Sequence, residues 1–514
     1  MSCNISQKQT REMRSRDLQL QMRRLPPHSF PFLGIVILVA SLILLWQGWQ
    51  ELQVNSIGDD AAQNLRSAMN LWQRGVYGES MDPVAPGFRR EPFPNWLLAT
   101  HLKLLFNRHL DIRYEDLINS PILLKQSMAI NLLYVMGLFA SLWALCVRLI
   151  RPAWLAQLVA AIVIYYSYTS FARGELGTLN TELIAAFLLV LSALTLLLLW
   201  HHQSQTMAVI AGTVLGCLVL TKATGSYIVL LFLPLLPFLL QVNKRQAMAL
   251  TLCVSLGFGL TVLPWVARNA MEFSKPGIAK GGGIVLLIRS AYDEMSAHEF
   301  WGAFYAYAPE RMQKDWFEAH LGFSEAQLQC GGSLERLKRD LPCDMRAIEA
   351  GQFGNLRGFY HQGKRTLPTQ IRHEADRLGK DSSDESLLQE AALKRIRSAP
   401  FKHLLVSLPL SWRGMWSFEN QQTWFGVLAN GLAMAALLAM PLAGALGRRP
   451  EWLLISFMGA GYFLFYGLFT HFISRYSEPL IPLALVCLSV LIVEAFQWLV
   501  GEFVRRLSAN HTPG

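Results

Sequence analysis

Charged side chains are scarce in this chain: 46 Lys and Arg with 36 Asp and Glu make up only 16% of 514 residues. Water-soluble domains usually carry about 25% charge. Hydrophobic residues reach 52%, so a soluble globular protein is excluded. Cysteine is sparse too. Of seven, Cys3 sits in a basic N-terminal tail and Cys146, Cys217, Cys253 and Cys487 lie in apolar runs. That leaves Cys330 and Cys343, too few for a disulfide-built scaffold, and no Cys-x-x-Cys pair is present to hold zinc. A His-Glu-x-x-His motif is absent, and His320, His361 and His373 lack metal-ligand spacing. Lys280 precedes three glycines beside an apolar run, but no Gly-Lys-Ser/Thr follows, which leaves a turn in place of a phosphate loop. Internal repeats and long low-complexity tracts are missing. The net charge of +10 does not point to nucleic acid, because the basic residues gather at the ends of apolar runs and in one long loop, where membrane topology puts them.

What the chain has in quantity is apolar runs of roughly 20 residues, each able to cross a hydrocarbon core about 30 Å thick. They predict an all-α polytopic membrane protein with about ten transmembrane helices, at 31–49, 122–149, 153–169, 182–200, 206–221, 225–241, 247–267, 424–445, 452–470 and 478–499. Ten crossings put both termini on one side. The tail 1–30 holds Lys8, Arg11, Arg14, Arg16, Arg23 and Arg24 against Glu12 and Asp17, so that side is expected to be cytoplasmic. Arg148 and Arg151, Lys244 and Arg245, Arg448 and Arg449, and Arg505 and Arg506 share it; Arg173, Lys222 and Arg475 fall opposite. The first run reads as an uncleaved anchor, since no small-residue cleavage site follows. The expected organisation is a basic tail (1–30), a membrane module (31–267) with an outer loop over 50–121, an outer α-rich insertion (268–423), closing membrane helices (424–500) and a cytoplasmic tail (501–514). Within the insertion, 309–329, 333–350 and 385–398 read as helices. Cys330 and Cys343 share this region, and a disulfide between them is expected in an oxidising compartment.

The chemistry concentrates in the first outer loop. Gly58-Asp59-Asp60 opens a stretch in which Ala61, Ala62, Leu65, Met69 and Trp72 recur at helical spacing. Gln63, Asn64, Arg66, Ser67, Asn70 and Gln73 take the other positions, and Gly75 ends the pattern, so an amphipathic helix in the membrane interface is predicted. An N-cap would account for Asp59 alone, not for two carboxylates. Phe88-Arg89-Arg90-Glu91-Pro92 follows, and then a mostly apolar stretch, Trp96 to Leu102, which Pro92 and Pro94 should turn back toward the membrane.

These motifs resemble the first outer loop of the GT-C superfamily of glycosyltransferases, which includes the bacterial lipid A aminoarabinose transferase and the protein O-mannosyltransferases. Gly58-Asp59-Asp60 with Ala68 to Tyr77 carries the likeness first. Arg90-Glu91-Pro92 is similar to the Glu-Lys-Pro or Lys-Pro-Pro segment of those enzymes. Leu179-Asn180-Thr181-Glu182 resembles their acidic second outer turn, and Leu220-Thr221-Lys222 their lysine motif. Leu263-Pro264-Trp265 with Arg268-Asn269 resembles the end of their seventh helix, and Ser474-Arg475-Tyr476 with Pro479 and Pro482 the start of the last. The insertion 268–423 has no counterpart in the resemblance. The likeness implies an inverting transfer of one sugar from a polyprenyl-phosphate donor to a lipid, glycan or exported-protein acceptor, on the periplasmic face of a bacterial inner membrane. It gives Asp59 the general-base role, with Asp60 beside it as orienting neighbour or second acceptor. Glu91, Glu182 and Tyr476 would position acceptor or sugar, and Lys222, Arg89, Arg90, Arg268 and Arg475 would meet the leaving phosphate.

Plainer readings stand beside these. Lys222 breaks an apolar stretch over 206–241 and could be a lysine reaching to the interface. Glu182 could be a carboxylate favoured at a helix N-terminus; Arg475 and Tyr476 could be interface anchors. A divalent ion on Asp59, Glu91 or Glu182 is left open. A transporter would carry polar groups in mid-membrane, where these spans are nearly clean. A ligase or polymerase for lipid-linked oligosaccharides would need the same outer bases and cations, and differs in its donor.

Overall fold

In the computed structural model of the chain, the described residues are 31–54, 57–106, 112–379, 385–418 and 422–509. The basic tail 1–30 and the end of the 501–514 tail lie outside them. Every one of the ten expected segments is helical, and among the described residues eight helices are long and apolar enough to cross a membrane. The first is α1 (Pro31–Glu51). Two non-spanning helices follow, α2 (Asp59–Arg74) and α3 (Pro92–Phe106), with a hairpin between them of β1 (Ser80–Met81) and β2 (Val84–Ala85), in which Ser80 pairs with Ala85 and Met81 with Val84. Then come α4 (Pro121–Leu149), α5 (Ala153–Glu175) and α6 (Glu182–His202).

The segments expected at 206–221 and 225–241 differ from the rest. The first is α7 (Gln205–Val219), whose 15 residues reach about 22 Å at 1.5 Å per residue, short of a hydrocarbon core. The second stops at α8 (Gly225–Phe232) and resumes as a single turn, Leu236–Leu239. Pro234 lies in the gap and has no N–H to continue the helical ladder. Beyond it run α9 (Lys244–Phe273), α10 (Gly282–Ala291) and α11 (Pro400–Met415), and then the membrane helices α12 (Trp424–Leu446), α13 (Pro450–Phe469) and α14 (Ser474–Phe503).

Burial shows which faces meet lipid. Along α9, Leu252, Leu256, Leu260 and Leu263 are all exposed, while Leu250, Val254 and Val262 on the other side are buried. A leucine stripe open to the outside at helical spacing is unfavourable in water and costs nothing against acyl chains. The outward faces of α1 (Ile35, Leu38, Leu42) and α14 (Ile492, Phe496, Leu499) repeat it. Helix α6 is instead buried on nearly all sides and forms the centre of the bundle. The protein is therefore a multi-pass membrane protein. Its basic turns, Arg148 with Arg151, Lys244 with Arg245, and Arg448 with Arg449, lie at the ends of α4, α9 and α12 remote from Glu182 and Lys222.

Small residues set the closest helix contact. A Cβ built on Gly212 of α7 would lie 2.0 Å from the Val254 carbonyl oxygen of α9, and one on Gly257 of α9 would lie 2.3 Å from the Val209 oxygen. Without those side chains the two backbones touch, the small-xxx-small packing of membrane helices.

The amphipathic helix expected after Gly58 is α2, closed by Gly75 in the left-handed conformation (φ 69°). Asn64, Ser67 and Asn70, assigned to its polar face, are buried instead. Asn64 donates to the Leu179 carbonyl at 2.8 Å and Asn70 to that of Gly78 at 2.7 Å, so this face binds loops and not solvent. The insertion is α-rich, but the continuous helices expected over 309–329 and 333–350 are broken near Gly322, Gly331 and Pro342 into short helical pieces; 385–398 is one helix. Its aromatic core, Tyr292, Tyr305 and Phe359, is continuous with that of the membrane bundle. Cys330 and Cys343 form a disulfide with Cα atoms 6.1 Å apart.

Candidate active site

Five of the singled-out residues, from five parts of the chain, meet at one end of the bundle. Asp60 stands in the first turn of α2. Arg90 lies just before α3, Glu182 opens α6, Lys222 sits in the turn after α7, and Arg475 in the first turn of α14. Arg475 joins two carboxylates: its Nη1 donates to Asp60 Oδ2 and its Nε to Glu182 Oε1, both at 2.9 Å. Lys222 Nζ donates to the same Glu182 oxygen at 3.1 Å, and Arg90 pairs with the other oxygen of Asp60. Glu182 is only 1% exposed. A carboxylate so buried requires the cations around it, whereas Lys222, Arg90 and Arg475 keep one side open.

Local structure fixes these positions. The N-cap of α2 is Gly58, with no side-chain cap bond, so Asp59 does not cap; both aspartates occupy the first turn, where the helix dipole favours negative charge. Burial pushes the Asp60 carboxyl up, but the guanidinium groups of Arg90 and Arg475 outweigh it and hold it below the usual carboxylate range. The loop before α3 is pinned by Tyr77, whose hydroxyl lies 3.0 Å from the carbonyl oxygens of both Arg90 and Glu91 and accepts from Asn95 Nδ2 at 2.8 Å. The Lys222 turn is tied to the same loop. Phe93 N–H donates to the Leu220 carbonyl at 3.1 Å, and Glu91 Oε1 accepts from Ala223 N–H at 3.4 Å.

The remaining expected residues lie elsewhere. Asp59 and Arg89 are exposed, and neither forms an ion pair among the described residues. Arg268 does not join the other cations. It pairs with Glu272 at 2.8 Å, donates to the Gly87 carbonyl at 2.9 Å and lies over the Trp265 ring, clamping the hairpin loop onto α9. Tyr476 packs between Tyr466 and His471, with ring centroids 5.1 and 5.6 Å away. Asp59, Glu91 and Glu182 do not gather as metal ligands: Glu182 is held by two cations, Glu91 faces a backbone N–H, and among the described residues no three His, Cys, Asp or Glu could share an ion.

Sequence reasoning missed the supports. Asn95, fully buried, gave no signal beyond its place in an apolar stretch. Tyr462, whose hydroxyl lies 3.4 Å from the Lys222 carbonyl, sits in a span read only as apolar. Glu175 and Glu478 lie within electrostatic range of Glu182 and were not singled out in the sequence.

Fold and site together define a polytopic helical membrane protein with a charged cluster at the ends of its central helices. No protein-family model and no curated protein matches the sequence. Among solved structures the chain is similar to the oligosaccharyltransferase AglB from Archaeoglobus fulgidus in complex with an inhibitory peptide and a dolichol-phosphate, at 14% identity over 93% of this chain and 52% of that one, TM-score 0.47. It is similar too to the same organism's oligosaccharyltransferase with Zn and sulfate, at 13% identity over 93% and 51%, TM-score 0.45. ArnT from Cupriavidus metallidurans bound to undecaprenyl phosphate is a further likeness, at 13% identity over 88% and 77%, TM-score 0.35. Those proteins are GT-C superfamily glycosyltransferases that depend on polyprenyl phosphates. The chain spans about half the length of the oligosaccharyltransferase.

Proposed function

We propose that this protein is an inverting glycosyltransferase that moves one sugar from a polyprenyl-phosphate donor to a hydroxyl acceptor, at the periplasmic face of a bacterial inner membrane. One observation carries the reading: Asp60, Arg90, Glu182, Lys222 and Arg475, scattered over the chain, converge where membrane helices end. A lipid-borne phosphate would reach that level with its isoprenoid tail still among acyl chains.

In the reaction, an acceptor oxygen attacks the anomeric carbon, its proton passes to a carboxylate, and the bond to phosphate breaks, releasing polyprenyl phosphate. Asp59 suits the base better than Asp60. A carboxylate held between two guanidiniums binds a proton poorly, while Asp59 beside it is exposed and outside any ion pair among the described residues. Lys222, Arg475 and Arg90 meet the growing phosphate charge. Glu182, buried behind Lys222 and Arg475 and bonded to both through Oε1, would position the sugar through those cations. The Cys330–Cys343 disulfide and the basic turns at the opposite ends of the helices support the periplasmic side. Because the carboxylates do not collect as metal ligands, no step here runs through a metal.

The test is reconstitution in liposomes with labelled polyprenyl-phosphate sugars and membrane extract. Asp59→Asn is expected to lower turnover by about 10²- to 10⁴-fold without changing donor binding. Full turnover by the variant removes Asp59 as base. Transfer only from a diphosphate-linked glycan replaces this reading with an oligosaccharide ligase, which three cations at one site would also serve.

A further inference from the structure

A second group of cations lies next to the first, and none of the carboxylates at the site faces it. Arg339 and Lys364, both from the insertion, bracket one aromatic ring: their charged ends lie 4.3 and 5.4 Å from the centroid of Tyr360. Arg413 of α11 adds a third charge, 4.7 Å over Tyr307. None of the three forms an ion pair among the described residues, and none is fully buried. Acidic groups nearby are engaged elsewhere: Asp344 accepts from the N–H groups of Arg357 and Gly358 at 2.8 and 2.9 Å, and Glu299 lies 3.5 Å from Arg336.

Two histidines complete the group. His471, 4% exposed, packs 5.2 Å from the Tyr360 ring, and its Nδ1 has no hydrogen-bond partner among the described residues; His361, 7% exposed, lies 5.1 Å from the same ring. Burial, with Arg413, Arg339 and Lys364 adding to it, pushes the His471 imidazole down to about 3. A neutral ring there adds no fourth like charge to the three cations. Like charges without counter-ions repel one another, and a surface that carries them concentrates anions. The aromatic wall then leads to the reactive cluster. Tyr476 lies against His471 on one side, and its chain neighbour Arg475 binds Asp60 and Glu182.

We propose that Arg339, Lys364 and Arg413, carried on the buried rings of Tyr360 and Tyr307, form a subsite for a phosphate-bearing acceptor glycan, held beside the donor so that a neighbouring hydroxyl faces the carboxylates of α2. This rests on the glycosyl-transfer reading for the word acceptor; the anion site itself does not. Guanidinium and ammonium groups suit phosphate oxygens. The insertion thereby gains a role in binding, since all three charges lie within 268–423.

The experiment is binding to the full-length protein in phosphatidylcholine nanodiscs, with trehalose 6-phosphate and plain trehalose as probes. Wild type is expected to prefer the phosphorylated sugar by tenfold or more, about what a charge-assisted hydrogen bond contributes. Arg339→Gln with Lys364→Gln should abolish that preference while leaving undecaprenyl phosphate binding unchanged, and Lys222→Ala should do the reverse. If the double variant does not fold, Lys364→Gln alone, at an exposed position, should still reduce the preference. Equal binding of the two sugars by wild type, or an unchanged preference in a folded variant, overturns the proposal. Competition from phosphatidylglycerol in the nanodisc overturns it too, in favour of a lipid headgroup. Failure to bind undecaprenyl phosphate would sink the donor reading and leave the glycan arm standing.

Discussion

Asp60 illustrates how neighbours divide two adjacent carboxylates. Held between Arg90 and Arg475, it has a folded-state pKa below the ordinary 3.8, so its ion pairs contribute fully above that value and are lost as the pH falls through the lower one. The difference in thermal stability between wild type and Asp60→Asn should therefore stay flat from pH 7 to about 5 and shrink only below about 4. A difference that fades between pH 7 and 5 would contradict the paired geometry. Lys222→Ala should weaken donor binding by about tenfold to a hundredfold, the range of a hydrogen bond to a charged group, measured by titration with undecaprenyl phosphate. Most of the converging residues were visible beforehand as short motifs in a fixed order. Arg268 was not separable from them, although its actual partners were legible: Trp265 and Glu272 lie three and four positions away, where a helix makes neighbours. Type and position along the chain name a cation; only packing says which anion it meets.

At the level of helices, periodicity and length predicted the spans to within a few residues, because lipid imposes one strong rule on backbone hydrogen bonds. The rule weakens where protein covers the segment. The long apolar run over 206–241 became a short α7 and a broken α8, and Pro234 accounts for the break. The polar face of α2 was misjudged for a related reason, since amides such as Asn64 can satisfy loop carbonyls inside the protein as readily as water outside it. The α7–α9 contact makes its own prediction. Gly212→Leu forces those backbones apart and should destabilise the protein by at least about 1–3 kcal/mol, the usual range for overpacking. Gly259→Ala, which would meet only Leu263 at 3.5 Å, should be neutral or slightly stabilising. Melting of the purified variants in detergent separates the two.

Within 268–423 the helix over 385–398 was legible in the sequence, but 309–329 and 333–350 were not, since glycines and a proline divide them and the aromatic core there is shared with the membrane bundle. Its disulfide closes a 13-residue separation, for which chain-entropy arguments give about 3 kcal/mol. Cys330→Ser should lower the melting temperature, and non-reducing peptide mapping of wild type should recover the linked pair. Thiol labelling of Cys placed at 57 or 222 in intact cells should succeed from outside; modification from the cytoplasm alone would invert the orientation.

The contacts around Asp60 close on themselves. From Asp60 they pass through Arg475, Glu182 and Lys222 to the 220–223 turn, then through Phe93 and Glu91 to Arg90 and back. A closed circuit tolerates one cut, because every member can still be reached the other way round. Arg90→Gln and Arg475→Gln should each leave the opening turn of α2 protected from hydrogen exchange, and only together should they release it, with a combined loss exceeding the sum of the two. That redundancy keeps the carboxylate pair at the start of α2 in register after any single tether lets go.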